Sequence, residues 1–358
     1  MKSIAPAAAM GICVVGTMLG NSAHAQSNVT LYGIVDTGLI YTSKTLNPIT
    51  GGNAGKQFST ADSGLTPSLF GLTGTEDLGG GLKANFKLES GISLPTGRFS
   101  NSNGNMFGRQ AWVSLGGKYG EFKMGLQFSP FFNAGFATDP RGYSMFGSGF
   151  VIYGDNVAVT SILNANAISY TTADLGGFQA SAMVALGGKA GDFQAGRQYS
   201  ASAIYRHGPL TFDMAYYNGN AGGTVNTTIP STVAFVGRTI GASYKFGALT
   251  ASAGVANYKV AGSFNNYVYS GGLQYFIGPE LAVDSGVYWT HDKNDGGNHS
   301  VLVAVGAQYY LSKQTTLYGQ VGFVNNHGKM NTGLSINGAL FGVAGSTVGA
   351  TFGIRHMF

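Results

Sequence analysis

The chain has 358 residues, of which 58 are glycine, with only 10% charged side chains and a formal net charge of +5 at pH 7. Soluble domains carry about 25% charge, so this chain has too little to coat a water-facing surface. The mild excess of bases forms no run or patch, which argues against nucleic-acid binding.

From the N-terminus, Lys2 precedes a weakly apolar stretch through Val14, Val15, Met18 and Leu19. The stretch closes on Ala23-His24-Ala25, which reads as a secretory leader over 1–25 with a mature chain from Gln26. The single cysteine, Cys13, lies inside that leader, so disulfides and thiol chemistry are not expected of the mature chain. No later apolar run is long enough for a membrane helix.

Beyond the leader the signal is period-two alternation, the mark of two-faced strands. Residues 82–89 set Leu82, Ala84, Phe86 and Leu88 against Lys83, Asn85, Lys87 and Glu89. Residues 122–128 align Phe122, Met124, Leu126 and Phe128, and 301–311 align Val301, Val303, Val305, Ala307, Tyr309 and Leu311. The last stretch aligns Val348, Ala350, Phe352, Ile354, His356 and Phe358 against Thr347, Gly349, Thr351, Gly353, Arg355 and Met357. Short turns at 77–81, 116–120, 173–177, 207–209, 246–248, 277–279 and 312–314 alternate with mostly longer connections. The longer ones fall near 42–66, 93–104, 130–160, 188–197, 220–231, 260–263, 292–298 and 327–345. Seven short turns and eight longer connections join sixteen strands, as in an outer-membrane barrel. Backbone groups in lipid must all be paired, so the sheet must close, giving an all-β, sixteen-stranded antiparallel transmembrane barrel over 26–358. Phe358 then falls on the lipid row at the inner rim, where barrels carry aromatic girdles.

Several stretches resemble the trimeric sixteen-stranded general porins of Gram-negative bacteria, in their β-proteobacterial branch. They are VTLYGIVDTGL, FGLTGTEDLGGGLKANFKLESG, FGRQAWVSLGGKYGEFKMGLQFSP, YYLSKQTTLYG and the ending GIRHMF. The resemblance implies a water-filled channel for passive diffusion of ions and small hydrophilic solutes, and a homotrimer in the outer-membrane bilayer. It also implies that Phe358 is read by the outer-membrane assembly machinery, and that the third long connection, 129–156, folds into the lumen.

In that family, acids of the third connection face an arginine ladder on strands two, five and six. Here Leu69, Leu126 and Leu163 stand at the ladder positions, and Thr73 and Ser169 stand where Lys or Arg is usual. Alternation puts Leu69 and Thr73 in the lumen row but Leu126 in phase with Phe122 and Met124. Leu126 is therefore left between lumen and lipid, pending a bulge. The connection itself has two acids, Asp139 and Asp155, one base, Arg141, and many aromatics. These residues form the expected constriction: charge-poor, partly apolar and suited to neutral or aromatic solutes over small anions. The alternative is a substrate-specific channel for neutral or aromatic small molecules. Lys83, Lys87 and Glu89 are expected on the lumen wall.

Catalysis is not expected. The histidines after the leader, His207, His291, His299, His327 and His356, lie in turns, at loop borders or on the terminal strand, and no nucleophile elbow, zinc or phosphate-loop motif occurs. No cofactor or metal is expected, and Asp292, Asp295, His291 and His299 read as a solvated polar loop. A plugged structural or adhesive barrel would pass little current, which separates it from a channel.

Overall fold

The computed structural model describes residues 28–157, 162–225 and 233–358; the expected leader lies outside them. The first half of the chain contains β1 (Asn28–Thr42), β2 (Gln57–Asp62), β3 (Leu69–Gly79), β4 (Leu82–Gly91), β5 (Gln110–Gly117) and β6 (Gly120–Phe128). Two short helices follow, α1 (Pro130–Thr138) and α2 (Gly149–Val157), then β7 (Leu163–Thr172), β8 (Phe178–Ala185), β9 (Gln198–His207) and β10 (Leu210–Gly219). The remainder is β11 (Phe235–Phe246), β12 (Leu249–Val260), β13 (Asn265–Phe276), β14 (Leu281–Asp292), β15 (His299–Tyr310) and β16 (Thr315–His327). A small hairpin, β17 (Thr332–Ser335) and β18 (Ala339–Phe341), precedes the last strand, β19 (Gly345–Met357).

Every wall ladder is antiparallel, and β19 pairs with both β16 and β1. The sheet is thereby closed and has no free edge, as a lipid environment demands. Sixteen staves make the wall, because β2 and β3 are two pieces of one. The upper part of β1, Thr37–Thr42, faces β2, and its lower part, Asn28–Ile34, faces β3. Between the pieces, residues 63–68 leave the wall. The Asp36 carboxylate gathers that detour, accepting from the backbone N–H groups of Gly64, Leu65 and Thr66 at 2.9–3.0 Å. It also accepts from the Tyr318 hydroxyl of β16 at 2.7 Å, across the closing seam.

The two rows of each strand differ as alternation requires. Val113, Leu115, Phe122, Met124, Ile240, Val287, Val305 and Phe352 are exposed on the outer row. Ser200, Asp213, Asp284, Thr290, Gln320 and Thr351 are buried in the inner row. The outer row is not uniform around the barrel. Exposed Tyr199, Tyr216, Tyr244, Tyr269, Tyr275, Trp289 and Tyr309 girdle β9–β15, whereas Tyr41 is the one exposed Tyr or Trp in that row of β1–β6 among the described residues.

Candidate functional site

Residues 129–157 run from the end of β6 along the inner row. Ser129 caps α1, its hydroxyl accepting from the Phe132 N–H at 3.0 Å, and Pro130 opens the first turn. The helix docks on β9–β11. The Phe131 N–H donates to the Ser200 hydroxyl at 3.0 Å, and the Thr138 hydroxyl donates to the Asp213 carboxylate at 2.5 Å. Glycine in β11 makes room for this contact: a Cβ on Gly237 would sit 2.6 Å from the Phe131 ring.

After α1 the segment turns at Asp139. That carboxylate accepts from the N–H groups of Arg141 and Tyr143 at 3.0 Å and of Gly149 at 3.1 Å, and from the Tyr288 hydroxyl at 3.1 Å. Burial pushes its pKa upward against these bonds. Arg141 is spent in the same way. Its Nε donates to Asp284 of β14 at 2.5 Å, Nη1 to the carbonyls of Phe146 and Gly147 at 2.9 and 3.0 Å, and Nη2 to Gln320 of β16 at 2.7 Å. Farther on, Phe146 bridges to Ser335 of β17, and Asp155 of α2 accepts from the Thr332 hydroxyl at 3.2 Å. Burial raises the Asp155 carboxyl to about 7. Asp139 and Arg141 thus hold the segment to the wall, and Asp155 holds it to the β17–β18 hairpin. Its open surface carries aromatics instead: Phe136 is 54% exposed, and Tyr143 packs beside it at 6.0 Å and stacks on Phe150 at 5.5 Å.

On the other side of the lumen, Leu69 lies in the inner row opposite Ile34 and Gly91 and is 7% exposed. Thr73, in the same row, faces Thr30 and Lys87 and donates to the Phe86 carbonyl at 3.1 Å. Lys83, Lys87 and Glu89 continue the row, with Lys83 opposite Asp77. Glu89 is buried and crowded, meeting Arg109 Nε at 2.9 Å, the Tyr32 hydroxyl at 2.8 Å and Lys87 Nζ at 3.3 Å.

The ladder positions on β6 and β7, the fifth and sixth staves, need correction. The irregularity between β6 and β7 lies on β7, where two residues of β7 oppose one of β6 and Asn166 takes a φ of 55°. β6 keeps its phase, so Leu126, opposite Ala111, stays in the outward row with Phe122 and Met124. Gln127 takes the inner position. Leu163 pairs with Phe128, one residue out of step with Asn164, which pairs with Gln127 and is fully buried. Ser169 does lie in the inner row, its hydroxyl donating to Gln127 at 2.6 Å. Sequence reasoning also missed the inner pair Trp112 and Lys123, whose ammonium lies 4.3 Å from the indole centroid. Alternation from Ser114 and Gly125 would have found both. Among the described residues, no group of three metal-ligating side chains gathers.

Residues 7–329 match the model of the family described as Gram-negative porin. The chain is 32% identical to outer membrane porin protein 32 of Delftia acidovorans, over 94% of this chain and 96% of that one. It is 28% identical to an outer membrane porin protein of Bordetella pertussis, over the same shares. Among solved structures it resembles the anion-selective porin from Comamonas acidovorans, with a TM-score of 0.79 and 31% identity, covering 93% of this chain and all of that one. The closed sixteen-stave wall, the polar inner row and these likenesses agree: the chain belongs to the Gram-negative porin family, integral barrels of the outer membrane that let small solutes diffuse through.

Proposed function

We propose that this porin is a passive diffusion channel whose constriction has a weak internal field and a partly aromatic surface. Selectivity in such a pore comes from radius, lining and field. The carrying observation is the state of Arg141, the sole base of residues 129–157, which is buried and fully engaged by Asp284, Gln320 and two carbonyls. Leu69 adds no charge from the facing wall, and Lys87 and Lys123 each have a carboxylate within 3.5 Å. The Comamonas acidovorans relative is an anion-selective porin; this chain is expected to be less so. Thr73, Ser169, Asp139 and Asp155 complete the constriction in this reading, with Lys83, Lys87 and Glu89 on the wall leading to it.

Single-channel recording in unequal KCl tests the reading. A reversal potential near zero is expected, and Leu69→Arg with Thr73→Arg should move it toward anion preference. An unmoved potential in that double variant would sink the proposal.

A second reading, a channel specific for neutral or aromatic small molecules, is favoured by the exposed Phe136 beside Tyr143. It predicts that phenol interrupts the current of the wild type, and that Phe136→Ala abolishes the interruptions. In either reading the chain works as a homotrimer, with the apolar outer row of β1–β6, poor in Tyr and Trp, as the subunit face. Phe358, directly after β19, serves as the signal read by the assembly machinery.

A further inference from the structure

An arginine stands where the barrel has no other use for one. Register pairs Arg238 of β11 with Tyr216 of β10 and Asn257 of β12, and these sit in the outward row with Met214, Ile240 and Val255. Arg238 is exposed there, three residues inside the end of β11 that carries the long connection 220–234. In this family's topology the long connections mark the external side. A charge on the lipid row is costly unless it meets a partner at the interface.

The surroundings define the partner. Arg238 Nη1 donates to Asn257 Oδ1 at 2.9 Å, and the guanidinium lies 5.8 Å from the Tyr216 ring centroid. Asn257 is itself fixed, donating to Asn265 Oδ1 at 2.8 Å. Lys259, exposed in the same row of β12, adds a second cation one step nearer the rim. No carboxylate stands in the outward row of β9–β13 among the described residues. Directly below Arg238 lies an apolar groove of about 600 Å³, shaped by Ala201, Ala203, Met214, Ile240 and Val255. The small side chains of Ala201 and Ala203 leave its floor low. The tyrosine girdle marks this side of the barrel as lipid-facing, unlike β1–β6, whose outer row exposes few Tyr or Trp.

We infer that this face holds one phosphate-bearing lipid of the outer leaflet, its phosphate on Arg238 and Lys259 and one acyl chain in the groove. Charge complementarity selects the head, and the groove selects an amphiphile over a free anion. A second outer groove of about 530 Å³, flanked by Leu273, Val283, Val305 and Val321, contains no cation and serves as the internal contrast.

The test is native mass spectrometry of the delipidated, refolded porin after addition of bisphosphorylated lipid A. The wild type should retain one lipid per chain. Arg238→Gln should lower that retention about fivefold, the effect of one interfacial cation, and Arg238→Lys should keep most of it. Ala203→Phe, which fills the groove without touching the cations, should also lower it. Dephosphorylated lipid A should bind both forms equally weakly, and millimolar inorganic phosphate should not displace the lipid. Equal retention by wild type and Arg238→Gln would overturn the inference, as would displacement by inorganic phosphate. Conversion of the assembly to monomers by Arg238→Gln would also overturn it, because the face would then be a subunit contact. Channel conductance of the same preparations reports separately on the porin reading and should be unchanged in all variants.

Discussion

The two sides of the lumen solve the same problem differently. On β9–β16 the inner-row polar groups reach across to residues 129–157: Ser200 to Phe131, Asp213 to Thr138, Asp284 and Gln320 to Arg141. On β4–β6 they pair along the wall itself: Glu89 with Lys87 and Arg109, and Glu121 with Lys123. The first side is a dry socket, where a carboxylate needs a fixed partner. On the second side Glu89 and Arg109 are buried too, but Lys87 and Lys123 keep about a quarter of their side-chain surface (26% and 25%). A pore wall can thus be half structural core and half solvent channel, with one strand pattern serving both.

The sharpest way to break the socket is to strand one member of its ion pair. Arg141→Ala should cost about 3–5 kcal/mol, because Asp284 is left buried and uncompensated. Thermal melting should fall, and conductance should rise and become noisy as the segment comes free. A pair replacement, Arg141→Met with Asp284→Leu, should recover much of the stability. If the single and paired variants melt alike, the pair does not hold the segment. Of similar size, Phe131→Ala should cost about 3–5 kcal/mol, since it empties the contact over Gly237 and leaves a cavity. Its melting curve should fall without the noise expected from Arg141→Ala, because Arg141 still anchors the turn.

A subtler test uses pH at the α2 end. The folded chain holds the Asp155 proton above the ordinary carboxylate value of 3.8, up to about 7. The folded state therefore binds more protons than the unfolded one in that window, so stability falls as pH rises from about 4 to about 7 and is flat above. Asp155→Asn should flatten that slope, as read from melting temperatures across the range. An unaltered slope would assign it to other groups. The smallest effect is expected on the open side. Lys123→Ala should change stability by about 0–1 kcal/mol, because the pair with Glu121 is water-exposed. It should still shift the reversal potential slightly toward cations, which a purely structural role would not do.

How much of this was legible in the sequence follows from the range of the interactions. Alternation is local, so the rows through Phe122 and Met124, Leu69 and Thr73, and Lys83 to Glu89 could be read directly. The split stave could not, since residues 63–68 leave the wall to meet an Asp36 carboxylate far away in the chain. Leu126 was ambiguous because a bulge in its own strand would have turned it inward, whereas the bulge lies in the neighbouring β7, at Asn166; Leu163 was misplaced because that same bulge resets the phase of its strand, and period-two counting does not reveal it. The charges of residues 129–157 were visible as charges. That Arg141 is consumed by Asp284 and Gln320, 143 and 179 positions away, depends on barrel closure, which sequence spacing does not encode.

The seam bond has a kinetic consequence. Tyr318 and Asp36 are 282 positions apart, and the detour that Asp36 gathers also receives Gln320 and Ser144 at the Gly64 carbonyl. Contacts of such separation form only after the chain between them is organised. The constriction is therefore completed late, when first and last staves have met. A barrel that has inserted but not yet zipped its seam has a wall and no finished eyelet, so tightness of the channel reports on closure of the sheet.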